Sequence, residues 1–399
     1  MSLPDQIDTL IIGAGPAGLA AARLLARAGV SVLVLERETE PGGIPRHCGH
    51  SLYGWREFRK IMGGQSYARR LTDRARQSGA QIATGVTVTA LHPGGRVEAS
   101  SDAGLTMIKA RAVLLAMGAR ESPRSIRLIG GTKPGGVMNT GALQGLVYLQ
   151  KRQPFRRPVV LGTELVSFSA LLTCRHAGAK PAAMIEPGTQ IRFRRAAGLL
   201  PRLLGVPVHL KTQIRAIHGR HQVEAVTLEH AGQSFDLACD GVVITGGFRP
   251  ENALLRASAL AVDPGSLGPV VDQFGRCSDP AYFAAGNLLR AIETAPWCWA
   301  EGQQVAQAML KALDGALPDP SQAQDIPRGD LPLAWTVPQR IVPSRHPAAL
   351  PQLQAALTRP VHGLLRYDGQ STALKSRPDR RVSLPLPSGA TALSLEEEP

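Results

Sequence analysis

A glycine-rich turn near the N-terminus carries the strongest chemical signal in the sequence. Gly13, Gly15 and Gly18 follow an apolar stretch and precede a segment rich in Ala, Leu and Arg. Gly13 permits a tight turn, Gly15 leaves the backbone open to a pyrophosphate, and Gly18 allows close packing of a helix on a strand. Glu36 follows 18 residues after Gly18, where a carboxylate can accept hydrogen bonds from ribose hydroxyls. The spacing therefore predicts a dinucleotide site.

A second group of reactive side chains lies at His47, Cys48 and His50. A histidine beside a cofactor can act as a general base or contact an anion, or it can simply hydrogen bond around the cofactor. Arg46 can hold a substrate carboxylate bidentately, or it can bind a cofactor phosphate. The His and Cys residues are too close in sequence for an ordinary tetrahedral site, so no metal site is predicted.

The elements that must position these residues form an α/β unit. Residues 8–12 predict a strand, residues 19–28 a helix that Gly29 ends, and residues 30–35 a second strand. Free N–H groups at the start of such a helix point towards a phosphate at the turn.

A second strand–helix–strand unit is predicted over residues 158–186, with Glu186 at its end. Its turn keeps Gly162, but Glu164 and Ser167 occupy the positions of the other two glycines. A carboxylate at the second position clashes with a pyrophosphate and repels it. We therefore expect that this unit keeps its fold and has lost nicotinamide-nucleotide binding. The alternative is a shifted loop that still admits NADH weakly.

Four motifs give the sequence a resemblance to the glutathione-reductase-like flavoproteins, which have two dinucleotide-binding domains. Gly42 and Gly43 resemble the glycine pair along the FAD pyrophosphate, and Thr87-Val88 resembles the end of the strand whose backbone meets the adenine. Residues 112–118 resemble the family's "LATG" turn. Residues 282–287 resemble its late motif, with Asn287 in place of Asp. The resemblance implies FAD as cofactor and a helix over residues 298–313 with its N-terminus at the flavin pyrimidine.

The turn and the resemblance together give a set of predicted cofactor contacts. These are Gly13, Gly15, Gly18, Glu36, Arg37, Gly43, Arg46, Val88, Gly118, Gly286 and Asn287. The predicted catalytic candidates are His47, His50 and Cys48. Disulfide reductases of this superfamily carry a cysteine pair after the glycine pair, whereas only Cys48 is present here, which excludes dithiol chemistry at that place.

Within the superfamily, residues 42–48, 120–124 and 140–144 most resemble the FAD subunits of opine, proline and hydroxyproline dehydrogenases and of hydrogen cyanide synthase. The resemblance implies hydride transfer from an amine, amino acid or hydroxy acid to flavin N5, and then electron transfer to a partner. The implied partners are a small [2Fe–2S] protein and a second flavoprotein subunit. The alternatives are an NAD(P)H-dependent flavin reductase and a non-catalytic FAD-binding scaffold or electron-transfer subunit.

The implied fold is an FAD-binding Rossmann-like domain with an inserted second Rossmann-like, NAD(P)-binding-like domain and a C-terminal extension. We predict the first part of the FAD domain over residues 1–155, the insert over 156–250 and the second part of the FAD domain over 251–315. We predict residues 316–399 as a C-terminal extension that serves as a cap or a subunit-docking arm. Within that extension, Pro- and Arg-rich composition predicts extended arms or tails over 318–343 and 376–399, with a loosely ordered tail as the alternative for the last 20 residues. Residues 350–357 predict a short helix.

Composition limits the remaining possibilities. The chain has 399 residues and a net charge of +14, without a visible nucleic-acid module. The charge indicates a solvated basic surface, or docking to an acidic partner subunit or anionic lipid. Apolar runs are too short for a membrane span, and we expect no secretory signal. Five scattered cysteines predict no disulfide framework, which favours a cytoplasmic location.

Overall fold

The computed structural model describes residues 3–193, 198–327, 331–367, 369–376, 381–387 and 393–397. Up to residue 120 the elements are β1 (Gln6–Ile12), α1 (Pro16–Arg27), β2 (Val32–Glu36), β3 (Ser51–Tyr53), α2 (Trp55–Phe58), β4 (Met62–Gly63), α3 (Gly64–Gln77), β5 (Gln81–Thr84), β6 (Thr87–His92), β7 (Arg96–Ser101), β8 (Gly104–Leu115) and β9 (Ala119–Arg120). A 3₁₀ helix, Ile44–His47, lies between β2 and β3.

The middle of the chain contains β10 (Gly130–Gly131), β11 (Val137–Asn139), α4 (Thr140–Gln144), β12 (Val159–Leu161), α5 (Leu165–His176), β13 (Ala183–Glu186), α6 (Leu199–Leu203), β14 (Val208–Leu210), β15 (Thr212–His218), β16 (Ala225–His230), β17 (Gln233–Ala238), β18 (Val242–Ile244) and β19 (Arg249–Pro250). The remaining elements are α7 (Ala253–Arg256), β20 (Tyr282–Ala284), α8 (Ala295–Leu313), β21 (Gln324–Asp325), β22 (Leu333–Val337), β23 (Arg340–Ile341), β24 (Gln352–Leu357), β25 (Val361–Tyr367), β26 (Gln370–Ser376), β27 (Arg381–Pro385) and β28 (Ser394–Glu397).

The first sheet has the strand order β5-β2-β1-β8-β7-β6, and β20 also pairs with β8. β5, β2, β1, β8 and β20 run parallel. Residues 32–35 of β2, 10–12 of β1, 112–115 of β8 and 282–284 of β20 are buried. Buried apolar stretches of this kind are typical of a parallel sheet that is covered on both faces. α1 and α8 pack closely at Gly302, where a Cβ would lie 2.2 Å from the Ala17 carbonyl oxygen. The predicted α/β fold class is confirmed.

The inserted unit contains two further sheets. One is parallel, with the order β11-β18-β12-β13-β14, and the other has the order β10-β15-β16-β17. β10 and β11 precede residue 156 and yet pair with strands of the insert. We therefore infer that the chain enters the insert near the two-stranded β9–β19 pair and not at residue 156, because β9 and β19 lie side by side where the chain leaves and returns.

The C-terminal extension differs from its prediction. Residues 352–357 form strand β24 and not a helix, because β24 pairs with β22 on one side and β27 on the other. The described parts of the two predicted arms include β22 and β27. A second three-stranded sheet has the order β26-β25-β28, and the two sheets enclose a core that includes Leu353, Leu365 and Leu384. In the part of the chain that is described, no helix combines the length and apolar character of a membrane span.

Candidate functional site

The first glycine turn lies between β1 and α1. Gly13 has φ +103°, and a Cβ there would lie 2.5 Å from the Ala116 carbonyl oxygen. A Cβ on Gly18 would lie 2.0 Å from the Gly13 carbonyl oxygen. Gly15 differs from both, because no atom lies within 4 Å of the position its Cβ would take. It precedes the first turn of the 12-residue helix α1, so open backbone and unpaired helix N–H groups meet there.

The glycine pair lies directly on this turn. The Gly42 N–H donates to the Ala14 carbonyl oxygen at 2.9 Å. Gly43 has φ +60°, and a Cβ there would lie 2.9 Å from the Gly15 Cα. The structure thus brings both glycine motifs to the same open backbone.

Glu36 ends β2 beside the turn and is 8% exposed. Its carboxylate accepts the Ala14 N–H at 2.9 Å and the Glu38 N–H at 3.0 Å. Each carboxylate oxygen has a second lone pair, so ribose hydroxyls can still donate to it. Arg37 points into solvent, with a guanidinium nitrogen 3.9 Å from the Glu251 carboxylate.

Two further predicted contacts, Val88 and Gly118, belong to the first sheet or to the turn that follows it. Val88 lies at the start of β6 and not at the end of a strand, which corrects the sequence-based placement. The cause is that residues 81–84 already form the separate strand β5. Gly118 follows β8 with φ +73°. Val88 is nevertheless near Glu36, because the Val86 N–H donates to the Glu36 carbonyl oxygen at 3.0 Å.

Gly286 and Asn287 follow β20. Gly286 has φ +75°, lies against Ala17 of α1, and donates its N–H to the Glu301 carboxylate at 2.7 Å. The Asn287 side chain bonds to the backbone of Glu293, with its oxygen accepting at 2.6 Å and its nitrogen donating at 3.3 Å. Asn287 therefore shapes the loop over residues 286–293 and keeps one amide hydrogen free.

These residues fit a dinucleotide cofactor. The open backbone at Gly15 provides space and N–H donors for a pyrophosphate, and Glu36 provides the adjoining carboxylate for a ribose. Gly43 and Gly286 approach the same end of α1, and both positions require the absence of a bulky side chain.

The predicted catalytic segment is tied to the inserted unit by a chain of hydrogen bonds. The Cys48 thiol donates to the Gln144 side-chain oxygen at 3.4 Å, and the Gln144 amide donates to the Ser169 hydroxyl at 2.7 Å. The same hydroxyl lies 3.3 Å from Nδ1 of His50. Gln144 and Ser169 were not predicted as site residues.

The ionisation of this segment follows from burial. Burial raises the pKa of the Cys48 thiol, so the thiol stays protonated at neutral pH. Burial lowers the pKa of His47, with the neighbouring Arg46 charge acting in the same direction, and it also lowers the pKa of His50. Both imidazoles are therefore neutral at pH 7, which is the form that can accept a proton.

Arg46 lies with its guanidinium nitrogens 3.2 Å from the Glu40 carboxylate and 3.7 Å from the Glu38 carboxylate. These ion pairs orient Arg46 towards its own loop. A phosphate or carboxylate ligand can bind the Arg46 guanidinium only by displacing Glu38 or Glu40, or by binding beside them.

The second nucleotide-type turn is filled by side chains of the protein itself. Gly162 keeps φ +114°, beside Thr245. Glu164 caps α5, and its N–H donates to the Ser167 hydroxyl at 3.1 Å. The Glu164 carboxylate lies over Gly246, where a Cβ would be 2.1 Å from its oxygen. The space above the turn is thus occupied by a carboxylate.

The acid at the end of this unit is also engaged. Glu186 is 1% exposed and accepts the Thr163 hydroxyl at 2.6 Å and the Gly188 N–H at 2.8 Å. Arg192 approaches Glu186 at 3.3 Å and Glu164 at 3.6 Å. Burial raises the pKa of Glu164, although the charge of Arg192 acts in the opposite direction.

Known proteins resemble the chain over most of its length. The alpha subunit of sarcosine oxidase from Rhizobium meliloti is 26% identical over 363 residues, which cover 83% of this chain and 33% of the relative. An opine oxidase subunit from Rhizobium meliloti is 32% identical over 181 residues, which cover 45% of this chain and 38% of the relative. The matched region thus spans about a third of the length of these curated relatives.

A solved structure supports the fold. Thioredoxin reductase from T. acidophilum superposes with a TM-score of 0.65 at 23% identity, covering 77% of this chain and 99% of that structure. Residues 7–302 match the family model described as pyridine nucleotide-disulphide oxidoreductase. Together with the cradle at Gly15, the match to this family identifies FAD as the cofactor. The chain belongs to the pyridine nucleotide-disulphide oxidoreductase family of two-domain flavoproteins.

Proposed function

We propose that the chain is the FAD-carrying subunit of a heteromeric dehydrogenase or oxidase. Its substrate is an amine, an amino acid of the proline, hydroxyproline or opine kind, or a hydroxy acid. Electrons leave to a redox centre on a partner and not to NAD(P)⁺. The observation that carries this proposal is the Glu164 carboxylate, which occupies the second nucleotide-type turn.

The cysteines argue against a disulfide substrate. Cys48 follows the glycine pair alone, and all five cysteines of the chain are free and buried. A thiol whose pKa is raised by burial is a poor nucleophile, because the thiolate is the reactive form. Dithiol exchange at this place would need a second sulfur.

The residues around the cradle have distinct proposed roles. The backbone at Gly15 and Gly43 binds the pyrophosphate, and Glu36 accepts the ribose hydroxyls. When bound, FAD supplies the hydride acceptor, which the protein side chains lack. His47 and His50 are neutral at pH 7 and can take a proton from a substrate ammonium or hydroxyl group.

The names of the relatives support the heteromeric role. Both curated relatives are named as oxidase subunits, one for sarcosine and one for opines. We therefore propose that the electron acceptors are a small [2Fe–2S] protein and a partner flavoprotein subunit.

An anaerobic flavin titration tests the proposal. Purified protein is mixed with proline, hydroxyproline, sarcosine, an opine, a 2-hydroxy acid or NADH, and the flavin absorbance near 450 nm is followed. Bleaching by one of the amino acids or by the hydroxy acid supports the dehydrogenase. Bleaching by NADH alone supports an NAD(P)H-dependent flavin reductase. If no compound bleaches the flavin even with the co-purified partner present, the chain is a non-catalytic subunit.

A further inference from the structure

The hairpin over residues 51–63 displays large apolar side chains to solvent. Leu52 is 81% exposed, Trp55 is 61% exposed and Ile61 is 60% exposed. Strand β3 pairs with β4, and α2 lies between them, so these three side chains belong to one small projection. Single exposed apolar residues are ordinary on protein surfaces, whereas a cluster of them indicates an interaction site.

The hairpin is anchored on its inner side. The Tyr53 ring packs 5.3 Å from the Tyr67 ring, and Tyr67 is fully buried. Leu52 has φ +150° and Arg59 has φ +52°, which are conformations that side-chain-bearing residues rarely adopt. Such positions persist where surrounding structure holds them, and they are concentrated at functional surfaces.

The exposed charges of the hairpin itself are of one sign. Residues 41–72 contain a single acid, Glu57, which is buried and accepts the Tyr67 hydroxyl. The exposed cations of the hairpin are Arg56, Arg59 and Lys60. An exposed Trp that shares a hairpin with exposed Arg and Lys side chains has the composition of an interface hot spot for an acidic partner.

A cleft of mixed polar and apolar lining adjoins the hairpin. Arg56 and Trp297 line it together with Gln304 of α8 and Gln352 of β24. Glu301 also lines the cleft, and its carboxylate is paired with Arg290. Within the described ranges, the Arg56 guanidinium has no ion pair or hydrogen bond. The cleft offers a free cation and amide groups in a concave site, which suits a carboxylate-bearing protein segment better than a flat lipid surface.

A second copy of this chain is a poor occupant, because it would bring another net charge of +14 and the same cationic hairpin to the contact. The hairpin also lies close to the predicted catalytic segment, because a Cβ on Gly64, directly after β4, would lie 2.6 Å from the Cys48 carbonyl oxygen.

We propose that the hairpin over residues 51–63 and the adjoining cleft form the docking site for an acidic partner protein. This inference rests on the proposed function, in which a partner receives the electrons.

The experiment begins with a tagged chain expressed in its source organism, and the co-purifying protein is identified and purified. Its dissociation constant is then measured for the wild type and for two double variants. Trp55→Ser with Lys60→Glu alters the hairpin. Leu105→Ser with Lys133→Glu makes the matched change elsewhere, because both of those residues are also exposed.

We expect an acidic redox protein whose affinity falls at least about tenfold with the hairpin variant, the effect of one lost hot spot. The control variant should keep wild-type affinity, and added salt should weaken binding. The hairpin variant should still show substrate-dependent flavin bleaching but slower electron delivery to the purified partner. Capture of a protein alone does not support the inference without this dependence on the hairpin.

Three outcomes overturn the docking inference. The first is equal partner affinity in the wild type and the hairpin variant, which leaves the proposed function intact. The second is that the wild type, without a partner, binds vesicles containing phosphatidylserine and the hairpin variant does not, which would make this a lipid-binding surface. The third is the absence of any stoichiometric partner, which removes the heteromeric function together with the docking site.

Discussion

The carboxylate at the second nucleotide-type turn gives the sharpest test of how this protein handles electrons. A dianionic pyrophosphate at this turn would meet the Glu164 carboxylate over Gly246. Two unit charges about 4 Å apart repel by about 4 kcal/mol at an effective dielectric constant near 20. The helix N-terminus contributes only about 1 kcal/mol in favour of an anion. We therefore expect no useful reduction of the flavin by NADH or NADPH at about 1 mM, a high value among common KM values.

The perturbation is Glu164→Ala, with Glu164→Gln as the variant that removes charge and keeps size. Arg192 lies 3.6 Å from Glu164 but is 47% exposed, so water screens part of its compensation. We expect nucleotide affinity to rise by about ten- to a hundredfold in the Ala variant, which corresponds to about 1.4–2.8 kcal/mol. If nucleotide affinity rises in both variants, the charge of Glu164 causes the exclusion. If it rises in the Ala variant alone, the space that the side chain fills causes it.

The pH dependence provides an independent check. Burial raises the pKa of Glu164, so this carboxyl takes up a proton as the pH falls, while the pyrophosphate of NAD⁺ remains ionised. Affinity for NAD⁺ should therefore increase towards pH 5 in the wild type and stay flat in Glu164→Ala. Calorimetric titration with NAD⁺ and anaerobic stopped-flow mixing with NADH measure both effects. Wild-type flavin bleaching within a second of mixing with NADH would refute the reasoning.

Four further outcomes follow from the structure. Gly15→Val should give folded protein without flavin, whereas Gly63→Val should keep its flavin. Both Cβ positions are open, but only Gly15 faces the proposed pyrophosphate site. Equal flavin content in the two variants would contradict this. Cys48→Ser should keep its flavin and most turnover, and a loss beyond about 100-fold would make the thiol catalytic. The pKa of His50 is lower in the folded protein than in the unfolded chain, so protonation of this histidine below about pH 6.5 favours the unfolded chain and reduces stability. The melting temperature should therefore fall less between pH 7.5 and pH 5.5 in His50→Gln than in the wild type. An equal fall in both proteins would count against this. Arg290→Met should reduce the free energy of unfolding by about 3–5 kcal/mol in denaturant titrations, because it leaves a buried carboxylate unpaired; a change below about 1 kcal/mol would show that water reaches the pair.

The cofactor cradle could be predicted from the sequence because its determinants are local. Gly13, Gly15 and Gly18 lie within six residues. A Cβ on Gly13 or Gly18 would collide with the backbone, whereas the absence of a Cβ on Gly15 leaves space for a pyrophosphate. The strand–helix–strand unit predicted over residues 158–186 is present as β12, α5 and β13. The Glu164 substitution was visible for the same reason, since it interrupts a fixed local pattern.

Contacts across the two domains could not be predicted in this way. Gln144 lies 96 residues from Cys48, and Ser169 lies 119 residues from His50. Their hydrogen bonds depend on how the insert packs against the first domain, and no spacing in the sequence encodes that packing. The strand over residues 352–357 was mistaken for a helix because pairing on both edges, a tertiary effect, decides its conformation.

The C-terminal unit belongs to the architecture of the flavin site because it holds the loop that follows Gly286. Arg290 is fully buried, pairs with both oxygens of Glu301 at 2.7 and 3.0 Å, and donates to Gln354 of β24 at 2.7 Å. The same Glu301 carboxylate accepts the Gly286 N–H. From β27, Arg381 pairs with Glu293 and donates to the backbone of the same loop. A displacement of β24 or β27 must therefore shift this loop or leave buried charges unpaired, so the position of Gly286 depends on residues far beyond the family's matched region.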